Sequence, residues 1–171
     1  MTNIAIKYGG TVDKYIGDAI MIFFGDPQSM GTKKDALACV SMALEMKKKL
    51  RKLKKDWERT GLSESLDVRM GIHTDVCTVG NFGSSDRLDY TVLGNGVNLA
   101  SRLEAMAGAN EILISENTHN LINKDVQSQF FSEITVKGKA HPVKAYQVLR
   151  TVSKKIKNCL LYTSDAADDI P

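Results

Sequence analysis

A long amphipathic segment at residues 33–60 constrains the fold more than any other feature of this sequence. Its apolar side chains recur at steps of mostly three and four residues, and Gly61 follows the last of them: Leu37, Val40, Leu44, Leu50, Leu53 and Trp57. This period is typical of an α-helix with one buried face, and glycine often ends a helix. The sequence therefore predicts one long amphipathic helix.

Strand-like segments lie on both sides of this helix. Residues 9–27 are predicted to form a hairpin that turns near Gly17 and Asp18 and stops at a Gly-Asp-Pro sequence. Residues 66–73 and 76–82 contain valine, isoleucine and punctuating glycines, so we expect them to form a second hairpin around Thr74 and Asp75.

The second half of the chain alternates short strands and helices. We predict a strand at 89–93, a helix at 97–107, a strand at 112–114, a helix capped by Ser115 that reaches Leu121, and strands near 130–136 and 143–149. This order indicates an α+β sandwich in which helices pack on one mostly antiparallel sheet.

Composition excludes several classes of protein. A chain of 171 residues fits one domain, and its longest apolar run, Ala19 to Phe24, is far shorter than the ~20 residues of a bilayer-spanning helix. The first ten residues offer no apolar stretch long enough for a secretory signal, so we expect none in this segment. Three widely spaced cysteines fit neither a disulfide framework nor a zinc site. We expect a cytoplasmic segment without membrane contact, and any membrane anchor would lie upstream.

The composition also changes along the chain. We expect residues 1–150 to form the working domain and residues 151–158 to be a basic extension. Residues 159–171 resemble translated adaptor or vector sequence, so we exclude them from reasoning about the fold.

A few polar side chains are candidates for chemistry. Lys14 and Asp18 flank the first predicted turn, and a carboxylate suits a hard cation such as Mg²⁺. Asn98 and Arg102 stand four residues apart on one helix face, which suits a ribose and a phosphate. Taken alone, each is more typical of an ordinary turn or a solvated surface. Further cations that could meet a polyphosphate are Arg69, Lys137 and Lys139.

Taken together and in order, five segments resemble the class III nucleotidyl cyclase catalytic domain, from residue 1 to about 150. They are GGTVDKYIGDA at 9–19, RMGIHT at 69–74, GNFG at 80–83, DYTVLGNGVNLASRLE at 89–104 and VKGK at 136–139. The resemblance implies a ferredoxin-like sandwich and an adenylate cyclase that acts in signal transduction. Its reaction would be attack of the ribose 3′-oxygen of ATP on the α-phosphate, giving 3′,5′-cyclic AMP and pyrophosphate.

The resemblance also implies a role for each candidate. Asp18 matches one of two aspartates that hold two Mg²⁺ or Mn²⁺ ions per site, which would stabilise the attacking and leaving oxygens. Asn98 matches the asparagine that positions the ribose, and Arg102 matches the arginine that stabilises the transition-state phosphate. Arg69 and Lys137 are expected to contact the substrate.

Lys14 and Thr91 match the pair that reads the base. Adenine offers N1 as an acceptor and N6 as a donor, so a lysine can donate to the first and a threonine hydroxyl can accept from the second. A guanine-specific relative is expected to carry a carboxylate in place of Lys14. ATP is therefore favoured over GTP, although a lysine could still donate to guanine O6.

In this family the active sites lie between the subunits of a homodimer, so Lys14 and Asp18 are expected to serve opposite sites. The first metal aspartate of the family lies on an upstream strand that reads roughly Phe-x-Asp-Ile-x-x-Phe-Thr. We expect Met1 to be an internal methionine, and the fold to lack its first strand and most of its first helix. One carboxylate does not hold two metals, so this chain alone is expected to be inactive.

Two other functions remain open from the sequence. A non-catalytic, cyclase-like regulatory or dimerisation module would keep the fold without the chemistry. Nucleic-acid binding is suggested by the lysine-rich face of the long helix, but its one aromatic residue, Trp57, continues the apolar stripe and offers no stacking platform. We therefore expect no nucleic-acid partner.

Overall fold

The computed structural model of the protein describes residues 1–61, 66–84, 86–135 and 142–152. The predictions for Lys137 and for residues 153–171 lie outside this part of the chain. The helices are α1 (Thr2–Lys7), α2 (Thr32–Arg59), α3 (Asn95–Met106) and α4 (Glu116–Ile122). The strands are β1 (Thr11–Ile16), β2 (Ala19–Phe23), β3 (Met70–Ile72), β4 (Thr78–Ser84), β5 (Arg87–Leu93), β6 (Ile112–Ser115), β7 (Val126–Ile134) and β8 (Val143–Thr151).

The predicted long helix is confirmed as α2, which has 28 residues. Its most buried positions include small side chains as well as larger ones, so the helix axis can approach the strands closely. The fully or almost fully buried members of this face are Ala36, Ala38, Val40, Ala43 and Leu50. None of the helices formed by the described residues is both long and apolar enough to cross a membrane.

A four-stranded sheet in the order β3-β6-β8-β7 forms the centre of the fold. Its β6–β8 and β7–β8 pairs are antiparallel, whereas β3 and β6 run parallel. All four residues of β6 are buried, as expected for a strand covered on both faces. Ile112 and Ile114 pack in a cluster with α2, and Leu113 packs with α3, because successive side chains of a strand point to opposite faces. The predicted α+β architecture is confirmed.

Two separate hairpins accompany this sheet, β1–β2 and β4–β5. The predicted hairpin around Gly17 is confirmed, and this glycine has a φ of 61°, which favours a residue without a Cβ. The predicted pairing of residues 66–73 with residues 76–82 is wrong, because β3 pairs with β6 while β4 pairs with β5. Valine and isoleucine content predicts strands but does not identify which strands pair.

A third apolar cluster joins α1 and the first hairpin to α2. Ala5, Met42 and Met46 are its buried members, and side chains from β1 and β2 pack against them. Glu45 of α2 accepts hydrogen bonds from Lys7 Nζ at 2.8 Å and from the Tyr8 hydroxyl at 2.6 Å. These bonds, led by the one from Lys7, lower the pKa of Glu45.

The short helix α4 begins at its predicted cap. Ser115 Oγ accepts a hydrogen bond from the backbone nitrogen of Thr118 at 3.3 Å. One position further, His119 stacks on Tyr146 of β8 with ring centroids 3.9 Å apart, and its Nδ1 lies 2.9 Å from Ser128 Oγ on β7. Burial lowers the pKa of His119.

Candidate active site

Strand β1 contains a bulge at the predicted base-reading lysine. Val12 pairs with Ile22 and Lys14 pairs with Met21, so Asp13 is an extra residue between the two pairs. Bulges redirect side chains and are frequent beside active sites. The side chain of Asp13 is 1% exposed, whereas that of Lys14 is 42% exposed. One strand therefore holds a buried carboxylate beside a solvent-accessible ammonium group.

Asp13 connects the two predicted base-reading residues. Thr91 Oγ1 on β5 donates a hydrogen bond to Asp13 Oδ2 at 2.6 Å, and the backbone nitrogen of Val92 donates to the same oxygen at 3.5 Å. Lys14 Nζ lies 3.5 Å from Asp13 Oδ1. The structure thus brings Lys14 and Thr91 together through a third residue. We define Lys14, Asp13 and Thr91 as the base cluster.

Asp13 was not predicted from the sequence as a site residue. The available signal was a second charged residue in a predicted strand, next to a lysine that already had a predicted role. Such a residue can equally face solvent. Only the bulge and the contact with β5 show that this side chain is buried, and both depend on tertiary structure.

Helix α3 presents the second group of predicted site residues. It follows β5 directly, so Thr91 precedes its first residue by only a few positions. Leu99 and Leu103 are 1% and 0% exposed and fix the inner face of the helix. Asn98 and Arg102 are exposed and share another face because they are four residues apart. Arg102 Nη1 donates to the backbone oxygen of Thr135 at 3.3 Å.

The other predicted site residues are placed differently. Arg69 directly precedes β3, and its Nε lies 3.0 Å from Glu104 Oε1, so its guanidinium is engaged in an ion pair with α3. Asp18 is exposed at the turn between β1 and β2. Lys137 lies outside the described residues. Among the described residues, hydrogen bonds and ion pairs thus join the members of the base cluster to one another and Arg69 to α3, while Asp18 stands at the exposed turn.

Asp18 is the residue that could bind a metal ion. Its exposed carboxylate is a hard oxygen ligand, and Mg²⁺ is often held by one or two carboxylates together with substrate phosphates. Within the described ranges, no group of three or more histidine, cysteine, aspartate or glutamate side chains is arranged to hold a metal. The described residues of one chain therefore offer the Asp18 carboxylate as a single metal ligand. They do not offer a complete set of protein ligands for a metal ion.

Comparisons with known proteins show similar sequences in two named enzymes. The chain is 34% identical over 146 residues to a terminal-differentiation specific adenylate cyclase of Dictyostelium discoideum, covering 82% of this chain and 7% of that protein. It is also 34% identical over 146 residues to an adenylate cyclase of Anabaena cylindrica, covering 82% of this chain and 28% of that protein. The chain thus spans only a small part of the length of these relatives.

A solved structure gives a stronger match. The adenylyl cyclase CyaB from P. aeruginosa is 51% identical and superposes with a TM-score of 0.82, covering 86% of this chain and 76% of that chain. A sequence profile for the adenylate and guanylate cyclase catalytic domain matches residues 4–150. The family resemblance expected from the motifs is confirmed, and the chain belongs to the adenylate and guanylate cyclase catalytic domain family.

Proposed function

We propose that this chain is the catalytic domain of an adenylate cyclase, a phosphorus–oxygen lyase that converts ATP into 3′,5′-cyclic AMP and pyrophosphate for signal transduction. The observation that carries the proposal is the base cluster, in which a lysine and a threonine hydroxyl meet on β1 and β5. Similarity to proteins named adenylate cyclase supports the same substrate.

The base cluster has the chemistry to bind adenine. The Lys14 ammonium group would donate to N1, and Thr91 Oγ1 would accept from the N6 amino group. A lysine has no acceptor and cannot bond the N1–H of guanine. Adenine therefore fits both groups, while guanine leaves polar atoms unpaired at a substantial free-energy cost.

The residues of α3 would act on the rest of the nucleotide. In the proposed reaction the 3′-oxygen forms a bond to the α-phosphorus, and the bond from that phosphorus to the bridging oxygen of the β-phosphate breaks. The proton of the 3′-hydroxyl group passes to solvent, and pyrophosphate leaves with the electron pair of the broken bond. Asn98 would orient the ribose hydroxyls, and Arg102 would neutralise the charge that grows on the α-phosphate oxygens.

Arg69 and Lys137 are proposed to contact the polyphosphate. For Arg69 this requires its guanidinium to share or leave the ion pair with Glu104, which lies 3.0 Å away. Its side chain is 50% exposed, so the exchange costs little desolvation. Lys137 lies outside the described residues, and its role rests on the family motif alone.

Asp18 would contribute to binding Mg²⁺ or Mn²⁺, with two ions per site as in the family. When bound, such an ion neutralises charge on the phosphate oxygens. Asp18 supplies one hard ligand from an exposed turn. The remaining ligands are proposed to be substrate phosphates and carboxylates outside the described residues.

A homodimer with active sites at the interface is the proposed assembly. Several large apolar side chains of β1 and β5 are exposed close to the base cluster, and association would remove them from water. The most exposed are Tyr15 at 60%, Ile16 at 59%, Leu88 at 60% and Leu93 at 48%. The partner copy would then supply the Asp18 carboxylate to each site.

Two further assignments complete the proposal. Residues 1–150 would be the catalytic domain, followed by the basic extension at 151–158 and the unrelated tail at 159–171. The location would be cytoplasmic, which agrees with the use of ATP and with the unpaired cysteines Cys39 and Cys77.

The test is a product assay with the full-length gene product and Mg²⁺ or Mn²⁺. We expect cyclic AMP from ATP with a kcat/KM at least about tenfold above that for cyclic GMP from GTP, since one mispaired polar group costs more than 1 kcal/mol. Equal use of both nucleotides would contradict the assignment to ATP. Tight ATP binding without product would instead support the regulatory or dimerisation module.

A further inference from the structure

The hydroxyl group of Thr91 has its only proton committed to a buried carboxylate. A hydroxyl has one O–H to donate and two lone pairs with which to accept. Thr91 Oγ1 donates to Asp13 Oδ2 at 2.6 Å, a short bond to a charged acceptor. Thr91 is 5% exposed and the Asp13 side chain 1% exposed, so water competes little for this bond.

The direction of this hydrogen bond is forced by the chemistry of its partners. A carboxylate has no proton to give, so Thr91 must be the donor. The backbone nitrogen of Val92 also donates to Asp13 Oδ2, at 3.5 Å. Lys14 Nζ, 3.5 Å from Oδ1, offsets the cost of burying the negative charge. Any ligand that reaches Thr91 Oγ1 can therefore only donate to it.

This restriction distinguishes ATP from GTP through the group at position 6 of the purine ring. Adenine carries an amino group there, which donates, and guanine carries a carbonyl oxygen, which only accepts. Lys14 alone is a weak discriminator at this position because its ammonium group can donate to adenine N1 or to guanine O6. A threonine hydroxyl that rotates freely could bond to either purine, by accepting from the adenine amino group or by donating to guanine O6.

We propose that Asp13 is a specificity-determining positioning residue, which holds the Thr91 hydroxyl as an obligate acceptor and so weakens the binding of 6-oxopurine nucleotides. The inference rests on the proposed function, since it assumes that Thr91 meets the base. It assigns to Asp13 an effect on substrate choice that is distinct from any effect on the chemical step.

The test compares dissociation constants for ATP and GTP, measured by displacement of a fluorescent ATP analogue from the full-length gene product. Asp13→Leu removes the carboxylate and leaves the Thr91 hydroxyl free to donate. We expect the preference for ATP over GTP to fall about tenfold, mainly through tighter GTP binding, because a repulsive pair becomes a hydrogen bond. Asp13→Asn retains a carbonyl acceptor and should keep most of the preference.

Two further variants distinguish a positioning role of Asp13 from a general effect of replacing a buried polar residue. Thr91→Val should lower the preference for ATP over GTP by a similar factor. Adding Asp13→Leu to the Thr91→Val variant should change this preference by at most about twofold, because the effects of residues that act through one another are not additive. Asp35→Leu is the matched control, since Asp35 is a second buried aspartate that accepts from a hydroxyl, that of Ser29. It should leave the ratio of dissociation constants unchanged.

The outcomes distinguish this inference from the proposed function. If the wild type prefers ATP and a folded Asp13→Leu variant keeps that preference, the inference is wrong and the proposed function stands. If Asp13→Leu does not fold, an unchanged preference in Thr91→Val overturns the inference by itself. If the wild type binds neither nucleotide, the proposed function is wrong and the inference falls with it.

Discussion

The buried side chain of Asp13 contacts both predicted base-reading residues, the solvent-accessible Lys14 and the buried Thr91. It holds the hydroxyl of Thr91 at 2.6 Å and lies 3.5 Å from the ammonium group of Lys14. Lys14 and Thr91 were predicted from the sequence because they match the family's base-reading pair. Asp13 could not be found in that way, because its burial depends on a bulge in β1 and on the position of β5. Arg102 is identified only by its match to the family motif, because an exposed arginine on a helix face is common.

Arg102 is expected to act on the rate of the chemical step. Replacing it by alanine should lower kcat by about 100-fold to 1,000-fold, as when a preorganised donor to developing charge is removed, and should change KM little. Arg150→Ala is the matched control, because Arg150 donates to Gln127 on the β7–β8 pair at 2.8 Å and has no proposed contact with substrate. Steady-state kinetics with ATP measure both constants. A rise in KM at unchanged kcat would show that Arg102 only binds the substrate.

At the scale of elements, the sequence predicted which segments form strands and helices better than it predicted which strands pair with one another. The pattern located α2, α4 and the first hairpin because each depends on local periodicity, turns and caps. The pairing of β3 with β6 was missed, since a parallel pair joins segments about 40 residues apart through a crossover. Gly71 marks a different contact that was not predicted from the sequence. It lies in β3, where the backbone of α3 passes directly above it.

Gly71 should therefore tolerate no side chain. A Cβ at this position would lie 2.2 Å from the backbone oxygen of Ala100 and 2.3 Å from the backbone nitrogen of Glu104. Gly71→Ala is expected to lower the free energy of unfolding by about 3 kcal/mol or more, because backbone atoms cannot move aside as flexible side chains can. Gly80→Ala is the control, since its Cβ would meet only Phe82 at 3.9 Å. Urea denaturation monitored by circular dichroism compares the two. Equal stability of both variants would contradict the close packing of α3 on β3.

His119 should make the stability of the packed elements depend on pH. Burial lowers its pKa, so the folded state binds fewer protons than the unfolded state, and stability is lost as pH falls below the ordinary histidine value of about 6.5. His119→Phe keeps a ring to stack on Tyr146 but cannot be protonated. Urea midpoints at pH 7.5 and 5.5 should fall more for the wild type than for this variant. The same fall in both proteins would show that His119 does not contribute.

At the scale of the whole molecule, the described residues form three apolar clusters that pack the helices on the strands. One lies between α2 and the central sheet, one between α3 and the other face of that sheet, and one joins α1 and the first hairpin to α2. The α+β class was predictable because it follows from element order. The proposed arrangement of two copies rests on the family resemblance, since no local pattern states which residue serves which subunit. Asp18 at its exposed turn and Arg102 on α3 are the residues that can decide this point.

A mixing experiment with two inactive variants tests most directly whether one ATP site is built from two copies of the chain. Asp18→Asn would disable the metal-binding contribution and Arg102→Ala the charge stabilisation, so each homodimer should form little cyclic AMP. Random association of equal amounts should make half of the dimers mixed, each with one intact site, and restore about a quarter of the wild-type rate. A mixture no more active than either variant alone, with a wild type that forms cyclic AMP under the same conditions, would contradict a site shared between subunits.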